Sequence, residues 1–175
     1  MRNRTTAAEN LIVFLYFAVR VLAFPLLVVY FFSRVLRDRR YFGTLAERLG
    51  FLPREMRRTP HDTIWLHAVS VGEVLSSVRL IEELKKRQPG VGIFVSTSTL
   101  AGRELAGKRL QGLVHGIFYA PIDYDFAVRR VLRRLRPSAV VILETEIWPV
   151  LFRSAVHAGC ALLVVNGRIS DRALP

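Results

Sequence analysis

The sequence predicts an α/β fold: a Rossmann-like parallel sheet with helices on both faces, preceded by an N-terminal membrane-anchor helix. Three observations lead there. Five short, continuous apolar runs recur at residues 63–68, 92–98, 114–120, 139–143 and 161–165. The segments between them carry apolar residues at helical spacing, and one much longer apolar run, residues 11–32, stands ahead of them all. Strands that are apolar throughout, rather than alternating, belong to a sheet covered on both faces, and the helices between parallel strands supply the covers.

Composition narrows the class. The chain has 175 residues, 51% hydrophobic and 23% charged, which excludes a disordered chain because enough apolar surface is present to offset the entropy of ordering. A single cysteine, Cys160, excludes a disulfide framework and a cysteine-based zinc site, and the four histidines are scattered, so no metal site is expected. The net charge of +12 calls for an anionic partner. Residues 1–58 hold eleven arginines against four acids, a net +7, and residues 59–175 hold fifteen basic against ten acidic residues, a net +5. The excess therefore crowds the segment next to the long apolar run, where an anionic membrane surface would attract it. Nucleic acid is not expected, since no basic–aromatic interleaving or known binding motif occurs.

Taken in order, Leu11 to Phe32 is long enough as a helix to cross a hydrocarbon core of about 30 Å. Arg20 lies near its middle and Pro25 would kink it, so a monotopic or re-entrant helix and a buried core helix are the alternatives. Arg34, Arg37, Arg39 and Arg40 follow at once, and by the positive-inside rule that flank is cytoplasmic. The expected organisation is a membrane-anchor helix over 1–33, a basic juxtamembrane segment over 34–61, and a Rossmann-like domain over 62–175. Within that domain strands are expected at Thr63–Ala68, Gly92–Ser98, Val114–Ala120, Ala139–Leu143 and Ala161–Val165. The helices expected between them run from about Gly72 to Gln88, Leu100 to Leu110, Asp123 or Asp125 to Arg136, and Ile147 to Ala158. Ser170-Asp171-Arg172 reads as the cap and first turn of one more helix. With only three residues after it, the chain is expected to be the amino-terminal part of a longer protein.

In such sheets the site lies at the carboxyl ends of the strands. After the first strand comes SVGE, Ser70 to Glu73, where Gly72 is expected to let the backbone turn tightly and Glu73 falls in the first helical turn. An acid there is either an ordinary first-turn residue, stabilised by the helix N-terminus, or a base for a substrate hydroxyl. After the second strand, STSTLAGRE offers hydroxyls and a helix N-terminus, suited to routine capping or to a phosphate or sugar. The Gly-Lys-Ser/Thr end of a Walker loop is lacking, and no G-x-G-x-x-G occurs. After the third strand, Pro121-Ile122-Asp123 turns into the next helix. After the fourth comes ETEIWP, whose Glu144 and Glu146 could orient a sugar hydroxyl or pair with Arg168 of VVNGRIS.

Together these segments resemble the 3-deoxy-D-manno-octulosonic acid (Kdo) transferases of lipopolysaccharide assembly. The matching text is ERLGFLP (47–53), WLHAVSVGEV (65–74), STSTLAGRE (96–104), PIDYDFAVRRVLRRLRP (121–137), ILETEIWPVLF (142–152) and VVNGRISDRA (164–173). Departures from the family's pattern fall at Val150, where asparagine is expected, at Leu100-Ala101, where Pro-Thr is expected, and at Gly167, where alanine is expected. The resemblance implies a two-domain GT-B glycosyltransferase on the cytoplasmic face of the cell inner membrane. Its amino-terminal domain would bind the lipid A precursor (lipid IVA), and a carboxyl-terminal domain, missing here, would bind the donor CMP-Kdo. Glu73 would be the general base for an inverting transfer. Ser70, Gly72, Glu144, Glu146 and Arg168 would serve acceptor binding, and no cofactor or metal is implied. Two alternatives remain at this stage: a non-catalytic, membrane-attached Rossmann-like module for an anionic lipid or nucleotide, and a GT-B enzyme using another nucleotide sugar.

Overall fold

A computed structural model describes residues 7–59, 61–144 and 146–166, and within the first helix only the side chains of 18, 19, 22, 24–26 and 28–37. The chain divides into two units, Met1–Gly43 and Thr44–Pro175. The first holds helices α1 (Ala7–Arg37) and α2 (Arg40–Gly43). A helix does occupy the region expected as an anchor, but it runs past residue 33 to Arg37. Among the described residues no helix is long and apolar enough to cross a membrane, so the structure does not support a single N-terminal membrane anchor. Pro25 lies inside α1, where its missing N–H breaks one intrahelical hydrogen bond, and the basic residues Arg34 and Arg37 occupy the last turn. Arg34 is held within this unit, donating to the Tyr41 hydroxyl at 2.6 Å with its guanidinium 4.8 Å over the Tyr41 ring. The side chain of Arg20 lies outside the described ones.

The second unit contains α3 (Leu45–Arg48), β1 (Thr63–His67), α4 (Val71–Arg87), β2 (Gly92–Thr97), α5 (Leu100–Arg109), β3 (Gly116–Tyr119), α6 (Asp125–Leu135), β4 (Ala139–Leu143), α7 (Pro149–His157) and β5 (Ala161–Val165). All strands are parallel, in the order β3-β2-β1-β4-β5. The α/β, Rossmann-like parallel sheet is thus present. The chain winds outward from β1 to β3, then jumps back to β4 on the other side of β1. Right-handed crossovers put α4 and α5 on one face and α6 and α7 on the other, and each pair packs together.

The alternation of side chains divides the core accordingly. Leu66, Val95, Val141 and Leu143 join Val74 and Ile81 of α4 and Ala106 of α5 in one apolar cluster. The opposite set, including Trp65, Phe94, Phe118 and Ile142, is also fully buried, with the Trp65 and Phe118 rings 5.7 Å apart. α6 buries Ala127, Val128, Val131, Leu132 and Leu135, a stripe at helical spacing that leaves its arginines on the flanks. Pro137 stops this helix, and Pro149 starts α7 at a position where no N–H is needed. In the ERLG segment, Gly50 has φ +84°, and a Cβ there would collide with the Ala127 carbonyl, so glycine is required.

Candidate active site

Reversal of winding between β1 and β4 puts the topological switch point at their carboxyl ends, the place where sheets of this kind bind ligands. Two of the expected motifs flank it: SVGE follows β1 and ETEIWP follows β4.

Ser70 is the N-cap of α4 and accepts from the Glu73 N–H at 3.4 Å. In return Glu73 Oε1 accepts from the Ser70 hydroxyl at 2.9 Å, and Oε2 accepts from the Val69 N–H at 2.6 Å. This is a variant of the capping box, the glutamate reaching the N–H one residue before the cap, and it by itself accounts for a serine and a glutamate three residues apart. It uses one contact on each carboxylate oxygen and leaves further lone pairs on both. Glu73 is only 3% exposed. Burial raises its pKa above the ordinary glutamate value, the two hydrogen bonds pull it down, and the nearby charges of Glu146 and Glu144 push it up again. Three glutamates therefore stand at the ends of the two strands that flank the switch point, near enough for Glu144 and Glu146 to act on the charge of Glu73. Gly72 does not make a tight turn. It sits in the first turn of α4, and a Cβ on it would meet nothing nearer than Ser70 Oγ at 4.0 Å.

The ETEIWP segment is positioned from three directions. Glu144 follows β4 in the left-handed region, φ +60°, with its N–H donating to the Val165 carbonyl at 2.8 Å. Glu146 Oε2 accepts from Trp148 Nε1 at 3.1 Å, and the Trp148 ring meets His67 edge-on at 4.9 Å. Asp123 supplies the third support. Its Oδ2 and Oδ1 accept from the Val150 and Leu151 N–H groups at 3.1 and 2.9 Å, capping α7 from the β3–α6 loop. The sequence assigned Asp123 or Asp125 to the start of α6, but α6 has Tyr124 at its N-cap and no side-chain cap. Replacing Asp123 by alanine is expected to lower the unfolding free energy of the chain by about 2 kcal/mol, because two N–H groups lose a charged acceptor. Asp123→Asn should retain part of that, as read by urea denaturation.

Beneath Trp148 lies a buried polar chain that the sequence reading missed. Trp65 Nε1 donates to Ser96 Oγ at 2.8 Å, and Ser96 Oγ lies 2.7 Å from His67 Nδ1. If the hydroxyl proton goes to Nδ1, the imidazole carries its own proton on Nε2, a buried atom with no hydrogen-bond partner among the described residues. Burial holds the His67 pKa down to about 4. The only signal for this set was the WLHA text itself, with Trp65 and His67 two apart on one face of a strand.

The ends of β2 and β3 are tied to α3. Arg48 donates to the Ser98 carbonyl at 2.7 Å and Glu47 Oε2 accepts from the Tyr119 N–H at 2.6 Å, while the Arg48 and Arg103 guanidiniums lie over the Tyr119 ring. Thr99 of STSTLAGRE caps α5, accepting from the Gly102 N–H at 2.9 Å. Arg168 lies outside the described residues. No group of three or more His, Cys, Asp or Glu that could hold a metal ion occurs among the described residues.

A family profile described as 3-deoxy-D-manno-octulosonic-acid transferase (kdotransferase) matches residues 43–175. The chain belongs to this family. Among curated relatives, the 3-deoxy-D-manno-octulosonic acid transferase of Haemophilus influenzae is 29% identical over 159 residues, 91% of this chain and 37% of that protein. A protein of Arabidopsis thaliana, named as a probable mitochondrial 3-deoxy-D-manno-octulosonic acid transferase, is 32% identical over 164 residues, covering 91% and 36%. The Chlamydia pneumoniae 3-deoxy-D-manno-octulosonic acid transferase is 29% identical over 160 residues, covering 89% and 35%. The chain thus spans about a third of the length of these Kdo transferases, and the family match embraces every element from α3 to β5.

Proposed function

We propose that this chain is the acceptor-binding half of a GT-B Kdo transferase. The whole protein would move Kdo from CMP-Kdo to a sugar hydroxyl of the lipid A precursor lipid IVA, with inversion. The observation that carries this reading is the placement of Glu73, Glu144 and Glu146 after β1 and β4, at the switch point of a Kdo transferase family chain. Glu73 is the general base. Its carboxylate takes the proton from the acceptor hydroxyl as that oxygen attacks the anomeric carbon of Kdo. CMP leaves with the bonding electrons, so one C–O bond forms and one breaks. A base that is buried and has carboxylate neighbours holds its proton more readily than a free glutamate, which favours proton uptake from the acceptor hydroxyl.

Ser70 keeps the Glu73 carboxylate in place, Glu144 and Glu146 orient the acceptor's hydroxyls, and Arg168 contributes to acceptor binding. Gly72 leaves open the surface beside Glu73, through which the acceptor approaches. Gly72→Ala is then expected to leave the fold intact, even gaining a few tenths of a kcal/mol in helix propensity, while raising the KM for acceptor several-fold. The arginine-rich composition favours a phosphorylated acceptor presented at an anionic membrane surface.

The test is transfer by the full-length protein, read as Kdo-bearing lipid formed from CMP-Kdo and lipid IVA. Product from UDP-sugars but not from CMP-Kdo would remove the donor assignment. A second reading, in which Glu73 does no more than cap α4, is favoured by its capping box and predicts that Glu73→Gln transfers at the parent rate.

A further inference from the structure

A groove of about 680 Å³ opens between α6 and α7. Pro137 and Cys160, which line it, come just before β4 and β5, so the groove lies at the amino end of the sheet, opposite to Glu73. Its rim carries Arg129, Arg133 and Arg136 from α6 and its cap, and Arg153 and His157 from α7. Leu132, Pro137 and Ala158 contribute an apolar floor. The Cys160 thiol is turned to its own use there, donating to the Pro137 carbonyl at 3.0 Å.

Charge in this groove is not balanced. One carboxylate oxygen, Asp125 Oδ1, lies 3.4 Å from both Arg129 and Arg153, bridging the two helices. The side chains of Arg133 and Arg136 have no hydrogen-bond or ion-pair partner among the described residues. The contrast with the other flank of α6 is informative. There Arg130 donates to the Leu49 carbonyl, and Arg134 to the Met56 and Arg54 carbonyls, stapling the 49–56 loop. The same helix thus spends two arginines on structure and leaves two unspent. The helix dipole rewards a cation in the last turn, but only by some 0.3–1 kcal/mol and within that turn, which does not call for four arginines on facing helices. Arg136 moreover sits in the left-handed region, φ 45°, where glycine would be relaxed. No described contact of its side chain offsets that strain.

Spacing selects the ligand. Arg129 and Arg153 already share one carboxylate oxygen across the two helices, whereas Arg133 and His157 sit a further turn along, about 5–6 Å away, so the rim is longer than one phosphate. Two or more linked phosphoryl groups fit the rim, and an apolar moiety fits the floor. We propose that this groove binds an organic polyphosphate of the nucleoside diphosphate type. It is a site at the opposite end of the sheet from Glu73, and the proposal does not rest on the transfer reading.

The experiment is titration of the full chain with N-methylanthraniloyl-ADP, followed by fluorescence anisotropy. Arg133→Ala/Arg136→Ala is the variant, since both side chains are exposed and unpartnered, and far-UV circular dichroism checks its fold. Saturable binding by the parent chain, weakened tenfold or more in the double variant and restored by Arg133→Lys/Arg136→Lys, is the expected result. Unlabelled ADP should displace the probe at concentrations at least tenfold below those of inorganic phosphate. Three results would each overturn the proposal: no saturable binding, equal affinity in the double variant, or displacement by phosphatidylglycerol vesicles but not by ADP. The last would assign the groove to lipid headgroups.

Discussion

Full-length protein carrying Glu73→Gln is expected to lose transfer from CMP-Kdo by a factor of about 100 or more, while melting no lower than the parent. The two halves of that expectation separate two roles of one residue. Glutamine's amide oxygen can still accept from the Val69 N–H or the Ser70 hydroxyl, so the cap on α4 survives. What it cannot do is take a proton. Burial, opposed by those hydrogen bonds and reinforced by Glu146 and Glu144, puts the folded-state pKa of Glu73 above its unfolded value. For an acid raised in this way, the stabilising contribution is complete below the unfolded pKa and lost as pH rises through the folded one. At neutral pH the ionised carboxylate is therefore a liability that glutamine removes. The variant should melt at or above the parent at pH 7, with the difference closing below the ordinary carboxyl range. The pH–rate profile of the parent should climb as Glu73 ionises, with its acidic limb displaced upward from an ordinary carboxylate. Parent-like rates in Glu73→Gln would leave the capping box as the whole role of this residue.

How much of this was readable from the chain depends on how local the cause is. β4 and β5 begin and end where the apolar runs do, because Pro137-Ser138 and Gly159-Cys160 punctuate them sharply. β3 is shorter than its apolar run. Leu113 and Val114 turn back onto the Leu110 carbonyl, and the ladder residues begin only at Gly116. The strand-end positions of Glu73 and of the two glutamates after β4 were legible because the apolar runs before them mark where β1 and β4 stop. Asp123 was not. Local rules give an aspartate to the helix that follows it, whereas this one caps a helix beginning 26 residues later, a pairing made only by the fold. Gly72 shows the converse error, since a glycine near a strand end suggests a turn, yet its place inside α4 demands none. The short helices α2 and α3 fell within a stretch whose arginines dominate the pattern. The division of labour among the α6 arginines likewise appears only once the 49–56 loop is seen against one flank.

Acidification from pH 7 toward pH 4 is expected to destabilise the sheet unit by about 3 kcal/mol through His67 alone. The residue is 1% exposed, and burial holds its pKa down to about 4, against 6.5 in the unfolded chain. A base lowered in this way contributes stability that is complete above the unfolded pKa and lost as pH falls through the folded one. A gap of about 2.5 units corresponds to the stated magnitude. Protonation also disturbs a specific arrangement, because a charged imidazole donates from both nitrogens and Nδ1 can no longer accept from Ser96 Oγ. The Ser96 hydroxyl would have to turn, with Trp65 Nε1 bonded to it on one side and the Trp148 ring packed on the other side of His67. His115, lowered by partial burial and by Lys85, adds in the same direction, whereas Glu73 runs the other way and partly masks the effect. Urea unfolding at pH 7.5, 5.5 and 4.5 should therefore show the steepest loss in Glu73→Gln, where that masking is gone. His67→Gln should start lower at pH 7.5 and flatten the dependence. An unaltered pH dependence in His67→Gln would mean that the imidazole is already solvated or charged in the native state. Because Trp148 joins His67 to Glu146, the same protonation should loosen the ETEIWP segment before the sheet opens. Its signature would be a change in Trp148 emission at a pH above the unfolding midpoint, absent from Trp148→Phe.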